Sequence, residues 1–295
     1  MICPRPSDLL QTGAARAAGL RFVYVDVTDS ARDLARSHLS GPAAALALSE
    51  SLAGVAILGA DLELPEETVS FHLQTNGPIG IVLVEASFDG ALRGFTGKKI
   101  LNDFDGVPEP DLQAVFGKMG EFRVMRSVPG HIISQSSLQL PNPRPAEALT
   151  AYYNAGLQRK AVVSIVAVPG NDGPDLVRGF LLELMPDGNK SVYEDISAQL
   201  KGESFSDSLE GARGFSSLCE ELGLADAGLV LDDARPLRFG CRCTRERARE
   251  TLQTISSDEL RTMARSGKTT DIYCHMCGKC YSFQPDDLIR IADQR

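Results

Sequence analysis

Five of the seven cysteines in this chain lie between residues 241 and 295, in two closely spaced groups. The first group is Cys241-Arg-Cys243, and the second is Cys274-His-Met-Cys277-Gly-Lys-Cys280. Two cysteines that lie two or three positions apart can supply adjacent corners of a metal tetrahedron from one turn, and two such pairs complete it. The spacing therefore predicts a structural four-thiolate Zn²⁺ site. The predicted ligands are Cys241, Cys243, Cys274 and Cys277.

Other roles for these thiols are compatible with the same spacing. Thiolates also ligate iron–sulfur clusters, and buried cysteines without any ligand are a further alternative. Cys280 has no place in a four-ligand site: it is a nearby thiol, a substitute for Cys277 or a resolving thiol. His275 is expected to be a solvated loop residue, and Gly278 to permit the positive φ of a tight knuckle. The two remaining cysteines, Cys3 and Cys219, are predicted to be bystanders.

An arginine-rich stretch surrounds the first cysteine group. Residues 235–265 hold eight arginines against four acidic residues, a local charge of +4 in a chain whose formal net charge is −9. Cations beside a thiolate lower the pKa of the thiol and keep it reactive. A solvated helix face and a nucleic-acid contact are the alternatives. The arginines are Arg235, Arg238, Arg242, Arg245, Arg247, Arg249, Arg261 and Arg265.

Short elements are predicted to position the cysteines. Thr244 is suited to cap the helix that follows it, and Ser256 with Glu259 has the spacing of a capping box. Gly267 is expected to end the second of these helices. The predicted elements are helices over residues 245–255, 257–266 and 285–292 and a hairpin over residues 271–283.

The first 190 residues have the pattern of an α+β domain in which helices pack on an antiparallel sheet. Several runs alternate apolar and polar residues, and Asn76-Gly77 and Asp89-Gly90 are strong signals of tight hairpin turns, which need positive φ. Predicted strands cover residues 21–28, 68–75, 79–87, 91–96, 122–128, 131–140, 161–168 and 178–185, and predicted helices cover residues 29–39, 42–60 and 145–158.

The segment from residue 191 to 236 differs in character from its neighbours. It has weaker helical periodicity and frequent glycine, which costs about 1 kcal/mol relative to alanine in a helix. We therefore predict three parts: a core domain over residues 1–190, a helical and metastable linker over 191–236, and a zinc-binding domain over 237–295. A plain interdomain connection is the alternative for the linker.

Composition excludes several classes of protein. With 43% apolar and 23% charged residues, the chain is neither a disordered tail nor a collagen-like fibre nor a membrane channel. Its acidic balance weighs against a surface that grips nucleic acid. The apolar stretch over residues 42–62 is interrupted by polar and charged residues, which favours a buried helix over a membrane span. The N-terminus lacks the pattern of a secretory signal, so we expect a cytoplasmic protein, in which clustered cysteines bind metal or sense redox state.

Motifs in both parts of the chain are similar to those of one known family. Near the C-terminus they are Cys241-Arg-Cys243-Thr-Arg-Glu-Arg, the Leu252…Ser257-Asp-Glu-Leu260 helix pair and Cys274-x-x-Cys277-Gly-x-x-Tyr281-x-Phe283. Further upstream they are Val25-Asp-Val-Thr28, Leu73-Gln-Thr-Asn-Gly-Pro78, Asp89-Gly-Ala-Leu-Arg-Gly-Phe95 and Gly179-Phe-Leu-Leu-Glu-Leu-Met-Pro186. Together they resemble the heat shock protein 33 family of redox-regulated bacterial holdase chaperones. Two features depart from the family pattern: Tyr152-Tyr-Asn-Ala-Gly-Leu157 replaces a Ser-Glu-Gln motif, and Cys280 is additional.

The resemblance implies a redox switch rather than an enzyme. In the family the reduced, zinc-bound form is inactive, and oxidation of the ligand cysteines to disulfides releases zinc and activates an ATP-independent holdase for unfolding proteins. Here the switch cysteines would be Cys241, Cys243, Cys274 and Cys277. The resemblance further implies a monomer when reduced and a homodimer when active. Loss of zinc is expected to unfold the small C-terminal domain and to release the linker, which would expose apolar surface.

Partners other than unfolding proteins are less favoured by the residues. No P-loop-type nucleotide motif is present, and neither a membrane nor a nucleic-acid partner is expected. Two alternatives stay open: a zinc-module nucleic-acid binding protein, and a thiol–disulfide oxidoreductase. The second is weaker, because Cys274-x-x-Cys277 does not open a helix in a thioredoxin-like βαβ context.

Overall fold

The computed structural model describes residues 8–224 and 227–294, so Cys3 lies outside the described residues. The chain divides into two compact units, Met1–Phe239 and Gly240–Arg295. The predicted α+β class is confirmed, since both units combine helices with mainly antiparallel strands. Residues 191–236 lie within the first unit, and their role as a separate linker stays a prediction.

The strands of the first unit form two sheets. One has the order β10-β1-β2-β9-β8, with β11 also paired to β1, and the other has the order β12-β5-β4-β3-β6-β7. Neighbours are antiparallel except for the parallel pair of β12 and β5. The strands are β1 Leu9–Ala15, β2 Leu20–Asp26, β3 Thr68–Thr75, β4 Ile81–Ser87, β5 Ala91–Thr96, β6 Met119–Val128, β7 His131–Pro141, β8 Ala161–Val168, β9 Leu176–Leu184, β10 Leu229–Leu231, β11 Arg235–Pro236 and β12 Arg238–Phe239.

The helices of the first unit occupy two layers, between the sheets and outside the first sheet. They are α1 Thr28–His38, α2 Pro42–Leu58, α3 Asn102–Asp105, α4 Leu112–Phe116, α5 Pro145–Ala151, α6 Lys190–Leu200, α7 Glu203–Gly211 and α8 Phe215–Glu221. The helix predicted over residues 145–158 changes character at Tyr152, where a π-helical turn, Tyr152–Gly156, continues α5.

Helix α2 is the centre of the first unit. Every residue from Ala43 to Leu58 is buried, as expected of a helix that is apolar on all sides. It shares one core with Val23 of the first sheet and Phe71 of the second, which is why the unit has two sheets instead of the single one expected. By length and composition Pro42–Asp61 is apolar enough to cross a membrane, but 89% of its apolar window is buried inside the structure. Burial of this extent is typical of a core helix.

The outer face of the first sheet is covered by α6–α8. Because side chains alternate along a strand, β2 and β9 present Phe22 and Phe180 to this layer and Val23 and Leu181 to α2. The helices contribute a matching set of apolar residues: Tyr193, Ile196, Leu200, Phe205, Leu209, Phe215, Leu218 and Leu222. The segment over residues 191–236 therefore covers a large apolar surface of the sheet.

Strand β1 was not predicted from the sequence. Its residues, LLQTGAA, include Gly13 and two alanines, which have weak strand propensity. The strand forms because it pairs with β2 along its whole length and with β10 on its other side. Gly13 packs closely there: a Cβ atom at that position would lie 2.7 Å from a Leu231 methyl group and 3.1 Å from the carbonyl oxygen of Val230, so a larger residue would make these neighbours shift.

The two predicted glycine turns have different outcomes. At Asp89-Gly90 the prediction is confirmed, and Gly90 has a φ of 80°. The prediction of a tight turn at Asn76-Gly77 is wrong, because the residue with a positive φ in this connection is Gly80, at 72°. Asn76 has another role: its Oδ1 accepts hydrogen bonds from the backbone N–H groups of Lys118 and Met119, both at 3.0 Å.

The second unit is built from short elements around a small core. The predicted helix cap at Thr244 is confirmed, since its Oγ1 accepts from the N–H of Arg247 at 3.2 Å. Ser256 Oγ accepts from the N–H of Glu259 at 3.3 Å, which is one half of the predicted capping box. The elements are α9 Arg245–Leu252, α10 Ser257–Arg265, β13 Thr270–Tyr273, β14 Cys280–Phe283 and α11 Pro285–Asp293. The buried core consists of Ala248, Leu252, Leu260, Ala264, Tyr281, Phe283, Leu288, Ile291 and Ala292. Cores of this size are marginal without a cross-link.

Candidate metal centre

Four cysteine sulfurs converge in the second unit. Cys241 and Cys243 lie on the extended segment before α9, and Cys274 and Cys277 lie in the turn of the β13–β14 hairpin. The four Sγ atoms are all within 4.8 Å of one another. The Cys241–Cys274 and Cys243–Cys277 sulfur pairs are 3.8 and 3.4 Å apart. A tetrahedron with Zn–S bonds of about 2.3 Å has sulfur–sulfur edges of about 3.8 Å, so the donor set fits a tetrahedral metal ion.

The hairpin turn is shaped by its own backbone. The N–H of Gly278 donates to the carbonyl of Cys274 at 2.8 Å, and the N–H of Cys274 donates to the carbonyl of Lys279 at 2.9 Å. Gly278 has a φ of 72°, which confirms the left-handed conformation expected of it. This conformation folds the chain back so that Cys274 and Cys277 reach the same sulfur cluster.

Tyr281 connects the hairpin to the first cysteine pair. Its hydroxyl is placed to donate to two acceptors of Cys243, the carbonyl oxygen at 2.9 Å and the Sγ at 3.1 Å. In the sequence Tyr281 stands out only as a position of the family motif, and no contact with Cys243 is predicted for it. The strand alternation of β14 was the available signal, since it places Tyr281 and Phe283 inward and Cys280 outward.

The electrostatics of the cluster favour a bound cation. Burial raises the pKa of the Cys274 thiol, and it raises that of Cys277 even further. Burial is the largest cause of both shifts, and the expectation that neighbouring arginines lower the pKa of the thiols stays a prediction. A coordinated metal ion reverses this shift, because it deprotonates the thiols that bind it. Four converging, half-buried to buried sulfurs thus suit a metal ion of the Zn²⁺ type.

Several arginines of the arginine-rich stretch are engaged with partners in their own unit. Arg245 pairs with Asp287 at 3.0 Å, and its guanidinium lies 4.3 Å from the ring centroid of Phe283. Arg261 pairs with Asp293 at 2.8 Å. In the first unit, Arg235 donates to the carbonyl of Ala60 at 3.4 Å and Arg238 pairs with Asp89. These four guanidinium groups contribute to the packing of their own units, which weakens the case for a nucleic-acid surface.

The other cysteines lie outside the cluster. Cys280 is exposed, and its Sγ is 3.9 Å from the Oγ of Ser282. Cys219 is fully buried in α8 of the first unit, where burial raises the pKa of its thiol to about 12. His275 is exposed in the hairpin turn, as expected. The Cys274-x-x-Cys277 pair lies in a hairpin turn and not at a helix N-terminus, which argues against thioredoxin-like chemistry.

Comparisons with known proteins cover nearly the whole chain. A profile of the Hsp33 protein family matches residues 8–284. A 33 kDa chaperonin of Thermus thermophilus is 30% identical over 291 residues, which span 94% of this chain and 84% of that protein. A 33 kDa chaperonin of Trichodesmium erythraeum is 26% identical over 97% of this chain and 93% of its own length.

A solved structure shares the fold. The crystal structure of the 33 kDa chaperonin from Thermotoga maritima, a heat shock protein 33 homologue, superposes with a TM-score of 0.84 over 98% of this chain and 99% of that one. At 21% identity this likeness shows the fold alone. The family profile, which spans the core sheets, α6–α8 and most of the cysteine unit, decides the assignment: the chain belongs to the Hsp33 protein family.

Proposed function

We propose that this protein is a redox-regulated, ATP-independent holdase of the cytoplasm that binds unfolding proteins during oxidative stress and is not an enzyme. The relatives named 33 kDa chaperonin support a chaperone role. The observation that carries the regulatory part is the convergence of four cysteine sulfurs within 4.8 Å in a unit with a nine-residue core. Such a unit depends on its cross-link, and thiolates are the ligands that an oxidant attacks.

The metal that fits the site is Zn²⁺, held by Cys241, Cys243, Cys274 and Cys277. When bound, it would cross-link the segment before α9 to the β13–β14 turn. Structural zinc contributes about 10–16 kcal/mol to the folding of small modules, whereas whole domains are stable by about 5–15 kcal/mol. The order of the second unit therefore depends on the four sulfurs remaining reduced.

Oxidation removes the ligands in pairs. A peroxide takes two electrons from two thiolates through a sulfenic acid, so that one S–S bond forms, the O–O bond breaks and two water molecules leave after protonation. Two such steps consume all four cysteines. Zinc binds the thiolate form of cysteine. A sulfur in a disulfide has lost the negative charge of the thiolate, so it is a poor ligand for zinc. The second unit then loses its cross-link and much of its stability.

The client-binding surface that we propose is the face of the first sheet beneath α6–α8. Phe22, Phe180 and Leu182 are buried there only because these helices cover them. The chain runs from this layer into Gly240 through β10–β12, three short strands that pair with β1 and β5. In this proposal, disorder of the second unit frees the C-terminal end of β12 and so weakens the hold of these short strands on the helices before them. Large exposed apolar patches bind unfolding proteins.

We also propose that the active form is a homodimer. Strand β7 is an edge of the second sheet with Ile132 and Ile133 exposed, at 54% and 41%. Exposed edge strands with apolar side chains pair with a second chain. Sedimentation of the reduced and oxidised protein tests this point, and an oxidised protein that stays monomeric while it protects clients would contradict it.

The main experiment combines metal content with protection of a client. The full chain is purified reduced, its zinc is quantified with a chromogenic chelator, and light scattering follows a thermally unfolding reporter enzyme before and after peroxide treatment. We expect one zinc per chain, release on oxidation and protection only by the oxidised form. Cys277→Ser should lose the metal, whereas the matched variant Cys280→Ser should retain it. Equal protection by reduced and oxidised protein would refute the switch but not the metal site.

A further inference from the structure

Arg178 of β9 links the α6–α8 layer to the sheet that this layer covers. Arg178 on β9 is only 8% exposed, and its Nε donates to the carboxylate of Asp26 on β2 at 2.9 Å. Its Nη1 lies within hydrogen-bond distance of three backbone carbonyls at the end of α7. These belong to Leu209 (3.1 Å), Glu210 (2.9 Å) and Ala212 (2.8 Å).

Arginine suits both sides of this contact. The last carbonyls of a helix lack partners within the helix and carry the negative end of its dipole, so a buried cation is favourable at the end of α7. The planar guanidinium directs its other donors toward Asp26 at the same time. Asp26 is itself fixed, because its Oδ1 accepts from the Oγ1 of Thr28 at 2.6 Å and from the Thr28 N–H at 3.2 Å.

Apolar packing accounts for the neighbouring contacts between this layer and the sheet. Phe205 of α7 packs edge-on against Phe180, and Phe215 of α8 stacks on Tyr24, both with ring centroids 5.6 Å apart. Such contacts tolerate sliding, since they have little directionality. The hydrogen bonds of Arg178 are directional, and they lie at the end of the apolar face where Asp26 and Arg178 are cross-strand partners.

We propose that Arg178 is a positioning residue that holds α7 on the sheet, so that its loss opens the α6–α8 layer without any change at the four cysteines. This inference rests on the proposed function, in which the uncovered sheet face binds clients. In this proposal the α6–α8 layer is held on the sheet by the buried Arg178–Asp26 ion pair and by the hydrogen bonds of Arg178 to the α7 carbonyls, and not by the cysteine unit alone. A reduced, zinc-loaded chain lacking this contact would behave like the activated form.

The test uses the reduced, zinc-loaded full chain with Arg178→Met, which keeps the length of the side chain but removes its charge and donors. Arg21→Met is the matched control. Arg21 lies on β2, the strand next to β9, and pairs with Asp61 at 2.7 Å and with Glu183 of β9 at 3.0 Å, on the opposite face of the sheet. Hydrogen exchange measures the amide protection of α6–α8, a chelator assay measures the zinc content, and light scattering measures the aggregation of client proteins.

In Arg178→Met we expect the amide protection of residues 190–221 to fall about 100-fold, or about 2.7 kcal/mol at about 1.36 kcal/mol per factor of ten. Zinc content and the protection of β3–β6 should not change, and the reduced protein should protect clients. Arg21→Met should lower amide protection in the first unit, but not selectively in α6–α8. Unchanged protection of residues 190–221 in Arg178→Met, or the same pattern in both variants, would overturn the proposal.

A second variant covers the case in which Arg178→Met does not fold. Asp26→Asn keeps the shape of the partner and removes its charge, and it should lower the protection of the same helices about 10-fold. No selective loss in Asp26→Asn would also count against the proposal. Selective opening without protection of clients in either variant would support the role of Arg178 and contradict the proposed client surface, so the two conclusions are separable.

Discussion

The hydroxyl of Tyr281 provides a test of the proposed zinc site. It is placed to donate to two acceptors of Cys243, the carbonyl oxygen at 2.9 Å and the Sγ at 3.1 Å. Tyr281→Phe removes one oxygen atom and leaves the ring in the core, where the residue is 8% exposed. The change therefore isolates the hydrogen bond from the packing.

The expected effect follows from the charge of the acceptor. A hydrogen bond to a charged group contributes about 1.5–3 kcal/mol, which at about 1.36 kcal/mol per factor of ten is about 10- to 100-fold in affinity. Groups that hydrogen-bond to metal ligands have effects of the same size when they are replaced. We expect Tyr281→Phe to weaken zinc binding by this factor.

The assay is competition between the reduced protein and a chromogenic chelator, with circular dichroism of the zinc-loaded protein as the check on folding. Tyr273→Phe is the matched control, because Tyr273 lies on the other strand of the same hairpin and is 60% exposed. Wild-type affinity in a folded Tyr281→Phe protein would refute the reasoning. An equal loss in Tyr273→Phe would show that the hairpin, and not the hydrogen bond, sets the affinity.

Three further predictions concern the first unit and the remaining thiols. Burial raises the pKa of Asp8 from 3.8 to about 6, so its contribution to stability is fully present below about pH 3.8 and is lost as the pH rises through about 6. Relative to Asp8→Asn, the wild-type free energy of unfolding should therefore fall by about 2 kcal/mol between about pH 4 and pH 7. Parallel pH profiles of the two proteins in urea titrations would contradict this. Cys280 is exposed, whereas Cys219 is fully buried and its thiol has a pKa of about 12. Iodoacetamide should therefore label Cys280 and spare Cys219 in the native protein, which peptide mass spectrometry can measure. Comparable labelling of both cysteines would contradict the burial of Cys219. Asn154→Ala removes the Nδ2 donor to the carbonyls of Thr150 and Ala161, both at 2.7 Å. The free energy of unfolding, measured in urea, should fall by about 1 kcal/mol. An unchanged midpoint would show that these two hydrogen bonds do not stabilise the protein.

Asn154 lies in the segment where this sequence departs from the family pattern. Asn154 stands in the π-helical turn Tyr152–Gly156 that continues α5, and it links that turn to the start of β8. The structure thus gives the departing sequence a local role in joining a helix to an edge strand. π-Helical turns are frequent at functional sites, which makes this turn a useful place for substitutions in the client-protection assay.

The sequence by itself determined the features that depend on neighbours along the chain. The spacing within each cysteine group indicated a pair of metal ligands, with Cys280 left open as a substitute for Cys277, and Gly278, Thr244 and Ser256 indicated the knuckle and the helix starts. Each of these is a contact across a few residues, so residue type and spacing contain the required information. Hydrophobic alternation likewise specified most strands of the first unit.

The tertiary structure decided the features that depend on partners far along the chain. Strand β1 exists because β2 and β10 pair with it, and α2 is buried on all sides because two sheets enclose it. The contacts of Arg178 with α7 and of Tyr281 with Cys243 join residues more than thirty positions apart. Their residue types give no sign of those partners, because an arginine on a strand or a tyrosine in a hairpin is compatible with many surroundings. Only the folded chain brings together the groups whose charges and hydrogen bonds must be satisfied once they are buried.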